Sequence, residues 1–234
     1  MLTHVEPSIP KVGTVLHLQP YSMTKLLILG AGSFAIETLE IAELAGGFEI
    51  AGFIVDLDPP KKGAVLAGLP IFSADDFPFQ ATECSMVAGI VSTRRRRFVE
   101  AMEARGFQFA TVVHPRAVIS PRATIAAGCI VHASAVISSN TTLGGHVIVN
   151  RGCLVGHDNR IDRFCTLGPG ANLAGALEVD TGAYIGVGAI VRDHVTIGAH
   201  AVVGAGAVVV APVAANTMVL GVPARPVRSG VEGL

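Results

Sequence analysis

The sequence contains no Trp and only two Tyr; aromatic residues make up 5% of its 234 positions and charged residues 15%. A core must therefore be built from Val, Ile, Leu and Ala. With 17 basic against 18 acidic residues and a net charge of −1, it has no basic footprint for nucleic acid. Its four cysteines (Cys84, Cys129, Cys153 and Cys165) form no CxxC pair and no zinc-ligand spacing, so they read as reduced thiols of a cytoplasmic protein. The mean hydropathy is high, +0.57. Yet the longest apolar run, Ala201 to Ala215, is broken by Gly204, Gly206 and Pro212 and cannot span a bilayer. Residues 1–22 hold Pro7, Pro10 and Pro20 without an apolar stretch of signal-peptide length, and read as a disordered extension. The length suggests one or two domains.

What the sequence does have is a repeat. Counting every sixth residue from Ile119 gives Ile125, Val131, Ile137, Leu143, Val149, Val155, Ile161, Leu167, Leu173, Val179, Ile185, Val191, Ile197, Val203 and Val209. These three residue types fill about a quarter of an average chain, so sixteen in a row by chance is on the order of one in a billion. A small residue usually follows four positions later, and glycine recurs one and three positions later. A period of six fits neither an amphipathic helix nor a plain strand; it fits a parallel β-helix of hexapeptides. Three hexapeptides make one coil of a triangular prism, so residues 18 apart stack. Parallel crossovers are ordinarily right-handed, and the period alone does not set the hand of this coil.

The segment before the repeat has a different grammar. Lys25–Leu29 reads as a buried strand, followed by Gly30-Ala-Gly32-Ser33-Phe34-Ala35 and a helix through about Ala45. A second strand ends at Asp56, a third apolar run covers Met86–Val91, and a helix covers about Arg95–Arg105. Strand, glycine turn, helix and strand make an α/β Rossmann-like half domain over 23–113, ahead of a β-helix domain with a C-terminal cap over 114–234. Gly30, Gly32 and Ser33 open a helix whose free amides suit a phosphate, and Asp56 lies where a ribose contact would be. Only half of a dinucleotide fold fits in this length, which favours a mononucleotide or sugar nucleotide over a redox cofactor. Arg94–Arg97 reads as a solvated face.

His157-Asp158 lies at a turn, two residues after the inward Val155. A turn imidazole beside a carboxylate, which can fix its tautomer, suits a general base. Gly175, one coil above, could aim its N–H at an oxyanion. Neighbouring residues of a strand point to opposite sides, so Asp158 reaches His157 only if the turn bends both the same way. No further histidine pattern has metal-ligand spacing.

Residues 23–228 taken together resemble the bacterial sugar acetyltransferases of the NeuD/PglD type. The resemblance rests on the half domain, His114-Pro115, the uninterrupted hexapeptides, Asn150-Arg-Gly-Cys-Leu-Val-Gly-His157-Asp158, and Gly221-Val-Pro-Ala-Arg225. It implies a left-handed β-helix, a homotrimer, and transfer of acetyl from acetyl-CoA to an amino or hydroxyl group of a sugar or nucleotide-linked sugar in glycan biosynthesis, without a metal. His157 would be the base, supported by Asp158; Asn150 would line the site, and the Gly175 amide would face the acyl carbonyl. Val187 and Ala205 fall where the family contacts coenzyme A, and Thr166 replaces a histidine that touches it in some members. Gly30, Gly32, Ser33, Phe34 and Asp56 fall in the acceptor site, with Phe34 in place of a histidine and Asp56 in place of paired aspartates. The departures leave open a non-nucleotide acceptor, or a module that binds a nucleotide sugar without catalysis.

Overall fold

The computed structural model of the protein describes residues 23–56 and 63–234; the extension expected over 1–22 lies outside the described residues. The first part contains β1 (Thr24–Leu29), α1 (Ser33–Ala45), β2 (Phe48–Val55), β3 (Val65–Leu66), β4 (Leu69–Ser73), β5 (Cys84–Ala88), α2 (Arg96–Ala104) and β6 (Gln108–Phe109). Its sheet has the order β3-β4-β2-β1-β5-β6, parallel throughout except for the β3–β4 hairpin. Leu26, Leu27, Ile28 and Leu29 are all fully buried because β1 is central and covered on both faces, which explains its continuous apolar run. On one face Phe98, Val99 and Met102 of α2 pack against Leu27, Leu29 and Met86. On the other, Ala35, Leu39 and Ala42 of α1 join Leu26, Ile28 and Val87.

The hexapeptides form a β-solenoid. Every aliphatic position from Ile119 to Val209 is the second residue of a two-residue strand, and strands 18 residues apart pair in parallel: Val155 lies between Ile137 and Leu173. The ladder starts one rung earlier than the count from Ile119, at β7 (Val112–Val113), which pairs with Ile130–Val131. The inward side chains from Ile137 to Val209 are at most 1% exposed and form one core with Cys129, Cys153 and Cys165 between the corners. Truncating one of them, as in Leu167→Ala, removes about 2–5 kcal/mol.

From Gly128 to Gly206 every sixth residue has positive φ, one at each corner. Glycine takes that conformation without penalty. Others, including Asn140, His146, Asp158 and Phe164, are held there by the coils above and below. At the far end the strands Thr217–Leu220 and Arg225–Ser229 form an antiparallel hairpin that extends one face of the prism.

The three faces differ in what they turn outward. The first presents Val112, Ile130, Ile148 and Thr166, all 0–1% exposed beneath the N-terminal sheet and α1. The second presents Val118, Leu154 and Ile190, which are 62%, 45% and 44% exposed, alternating with half-buried Val136 and Val208 and exposed Asn172. The third presents Thr124, Thr142, Arg160, Glu178 and Thr196.

One residue of the arginine run corrects the reading of a solvated face. Arg95 is 2% exposed and lies in the junction between the two parts. One guanidinium nitrogen donates to the Val91 and Ser92 carbonyls and to Thr166 Oγ1; the other donates to the carbonyls of His146, Phe164 and Cys165, at 2.6, 3.2 and 3.1 Å. A charge can be buried at this depth because both terminal nitrogens exchange water for protein acceptors, Nε alone being left without a partner among the described residues. Beside it, His146 Nε2 lies 3.0 Å from Glu103 Oε1 of α2, with its ring between Phe109 and Phe164.

Candidate active site

Three groups of expected residues can be located from the folding of the repeat. The first lies at the C-terminal ends of β1 and β2. Gly30 has φ +96 and donates to the Ile54 carbonyl; a Cβ there would meet the Ile90 side chain at 2.7 Å, so only glycine turns the chain at this point. Gly32 caps α1 without a side-chain cap, and a Cβ on it would meet nothing within 4 Å, so the space over the α1 N-terminus is open. Ser33 and Asp56 are exposed nearby. Open ends of adjacent parallel strands are where α/β sheets hold ligands.

The second group joins α1 to the solenoid. Phe34 stacks on His132 at 5.3 Å and 28°. Arg151 donates to Glu37 Oε2 at 3.3 Å, and its backbone N–H donates to Asn150 Oδ1 at 2.8 Å. His132 and Asn150 are 5% and 3% exposed. Burial first, and the neighbouring Arg151 and His114 after it, push the His132 imidazole down to about 4, and the Glu37 carboxylate stands 3.9 Å away. Sequence reasoning missed Glu37, His132 and Arg151: their meeting depends on how the two parts dock, which no local spacing encodes.

The third group stands at the corner between the second and third faces. Asp158 has φ +56, and this left-handed bend brings its carboxylate to the same side as His157: Nδ1 and Oδ2 are 2.6 Å apart. The condition set by strand alternation is therefore met by the turn. A carboxylate only accepts, so this contact selects the tautomer of the neutral ring that carries its proton on Nδ1 and its lone pair on Nε2. One coil above, the bare Cα of Gly175 covers the ring: a Cβ there would sit 2.7 Å from Cε1 and 2.8 Å from Nε2. Among the described residues the Gly175 N–H donates to no acceptor.

Neighbouring contacts fix this corner. A Cβ on Gly156 would stand 2.5 Å from the Ala174 carbonyl oxygen, so glycine is required for the coils to approach. Asn159 is 1% exposed and bridges the coils, donating to the carbonyls of Gly156 and Ala174 and accepting from the Leu177 N–H. Asn140, directly below Asp158, donates to its Oδ1 at 2.9 Å. Asn140 first, and His157 after it, hold the Asp158 carboxyl below the usual carboxylate range. The 18-residue step that connects 157 to 175 would also have found Asn140, read downward from 158.

The structure does not bring all expected residues together. Val187 and Ala205 are exposed and stack at the corner between the first and second faces, above Arg151; the Ala205 N lies 2.7 Å from where a Gly186 Cβ would be. That corner and the His157 corner flank opposite edges of the second face. Thr166 is a correction: it is fully buried on the first face, accepting from Arg95 and donating to the Val91 carbonyl, so its hydroxyl cannot reach a coenzyme. Among the described residues, no group of three or more His, Cys, Asp or Glu could hold a metal ion, and no helix is long and apolar enough to cross a membrane.

No protein-family model and no curated protein sequence matches the chain. Solved structures do. A histidine-to-asparagine mutant of perosamine N-acetyltransferase from Caulobacter crescentus, crystallised with CoA and GDP-perosamine, is 32% identical with a TM-score of 0.80, over 89% of this chain and 99% of that one. The acetyltransferase domain of PglB from Neisseria gonorrhoeae, in complex with acetyl coenzyme A, is 30% identical with a TM-score of 0.77, over 87% and 98%. WeeI from Acinetobacter baumannii is 29% identical with a TM-score of 0.78, over 87% and 100%.

Proposed function

Since the chain belongs to the family of bacterial sugar acetyltransferases built on a left-handed β-helix of hexapeptides, we propose that it transfers acetyl from acetyl-CoA to the amino group of a nucleotide-linked sugar in glycan biosynthesis. The observation that carries this reading is the column at the His157 corner: a carboxylate-oriented imidazole with a free Nε2 beneath an unpaired amide. His157 Nε2 takes the proton from the acceptor nitrogen as that nitrogen bonds to the thioester carbon. Asp158 accepts from Nδ1–H and stabilises the imidazolium. The Gly175 N–H donates to the tetrahedral oxyanion. Collapse breaks the carbon–sulfur bond, and His157 returns its proton to the departing thiolate.

The N-terminal sheet serves in this reading as a Rossmann-like half domain that receives the nucleotide. Gly30, Gly32 and Ser33 at the α1 N-terminus face its phosphates, and Asp56 faces the sugar end. Phe34 takes a different part, since it packs on His132 where a nucleotide-holding residue was expected. Acetyl-CoA, with its chain along Val187 and Ala205, is the co-substrate, and four unpaired thiols fit a cytoplasmic setting.

We read the active unit as a homotrimer. The second face, with Val118, Leu154 and Ile190 exposed and Asn172 the one polar residue among its outward positions from 118 to 208, lies between the two corners that carry the catalytic and coenzyme residues. A second copy seated there covers this face and brings one chain's His157 corner to its neighbour's Asn150 corner. A thiol-release assay with acetyl-CoA tests the function. Release that requires a GDP- or UDP-linked amino sugar supports it; release with free amino sugars only moves the acceptor to a non-nucleotide compound. No release with either class leaves a binding module and overturns the reading.

A further inference from the structure

We propose that Asn140 is a positioning residue of the acyl-transfer site: from the coil below, it holds the Asp158 carboxylate turned onto His157 Nδ1, so that Nε2 is the nitrogen presented beneath Gly175. The inference rests on the acetyl-transfer reading and adds a residue to it. Asn140 and Asp158 occupy the same position of successive coils, with φ +61 and +56, so one side chain stands over the other. Nδ2 of Asn140 donates to Asp158 Oδ1 at 2.9 Å, and Oδ2, the remaining oxygen, meets His157 Nδ1 at 2.6 Å. The backbone N–H of Asp158 donates to the Ser139 carbonyl at 3.0 Å. The lower coil thus fixes Asp158 at both ends.

Chemistry selects the residue. The Asp158 side chain is 52% exposed, and without a second contact it would rotate among its staggered positions in water. An aspartate at 140 would set two carboxylates face to face. A glycine would accept the left-handed backbone equally well, yet has no donor to offer. The left-handed turn is one that asparagine enters readily; the contact to Oδ1 explains why an amide stands here, where other corners carry His146 or Phe164. The same amide is the largest cause holding the Asp158 carboxyl below its usual range.

The test uses the full chain with Asn140→Gly, which keeps the backbone conformation and deletes the donor. Steady-state rates should show kcat reduced on the order of tenfold, because a misdirected base loses productive geometry, with KM for acetyl-CoA and acceptor within about twofold. In an Asp158→Gly background the same substitution should change nothing further. The Asp158 carboxyl, followed by carbon-13 NMR, should titrate at higher pH in Asn140→Gly than in the parent. An unchanged kcat, an equal loss in both backgrounds, or an unmoved titration each overturns the proposal. A parent chain that transfers no acetyl overturns the functional reading itself, and a catalytic part for Asn140 with it; an active parent beside an indifferent variant removes the positioning alone.

Discussion

Gly175→Ala separates the chemistry of the His157 corner from its stability. The new methyl would stand 2.7 Å from His157 Cε1 and 2.8 Å from Nε2, against about 3.4 Å for ordinary contact, so the ring must retreat by about 0.7 Å. It can do so at little cost to the fold, because the His157 side chain is 68% exposed and the conflict is with a side chain rather than with backbone. Gly175 is not among the residues of positive φ, so alanine adds no backbone strain there. The amide itself is retained. The substitution therefore displaces the base and leaves the oxyanion donor in place. A misplacement approaching 1 Å costs up to about a hundredfold in rate, so kcat in the thiol-release assay should fall by about ten- to a hundredfold. KM for acetyl-CoA should stay within about twofold, and the melting temperature within about 2 °C of the parent. A variant with undiminished kcat would refute the reasoning, since the ring would then not need its seat beneath residue 175.

Three further outcomes follow from other parts of the molecule. Arg95→Met strands the carbonyls of His146, Phe164 and Cys165, which accept from its guanidinium in the junction; it should destabilise the protein by about 3–5 kcal/mol and lower the calorimetric transition by roughly 6–20 °C. An unaltered transition would mean the clamp is dispensable. His132 is held down to about 4 by burial, against 6.5 when unfolded, so its contribution is complete above pH 6.5 and is lost as pH falls from 6.5 to 4. Urea midpoints should therefore fall more steeply over that window in the parent than in His132→Phe, by an amount approaching about 3 kcal/mol; parallel curves would show that the ring titrates freely. Leu154→Arg places a charge on the exposed second face and should dissociate the proposed trimer in sedimentation experiments; an assembly of unchanged mass would put the interface elsewhere.

The solenoid was legible almost residue by residue, because a period of six fixes which residues point inward and which stack, though not the hand: each aliphatic from Ile119 to Val209 occupies the second position of a strand, and 157, 175 and their neighbours stack as the 18-residue step requires. The main strands and helices of the N-terminal part were legible too, from the buried run of β1 and the glycine turn after it. The β3–β4 hairpin was not, being two short strands around Gly68 at one margin of the sheet with no sustained alternation. What escaped most completely was the docking of the two parts. Arg95 is one of four consecutive arginines, and nothing in the run marks which of them enters the junction; Thr166 was assigned to the coenzyme for the same reason, since its contact with Arg95 joins residues 71 positions apart. The bend that lets Asp158 meet His157 was knowable in kind, because every corner from Gly128 to Gly206 takes a left-handed residue, but its direction is visible only in coordinates.

The central claim is that the imidazole of His157 is the base for acyl transfer, and single-turnover thiol release from acetyl-CoA by His157→Ala tests it most directly. With the acceptor saturating and the assembly verified by sedimentation, the variant should retain its mass and lose on the order of a hundred- to ten-thousandfold in rate. A His157→Ala chain that releases thiol at the parental rate would contradict the account.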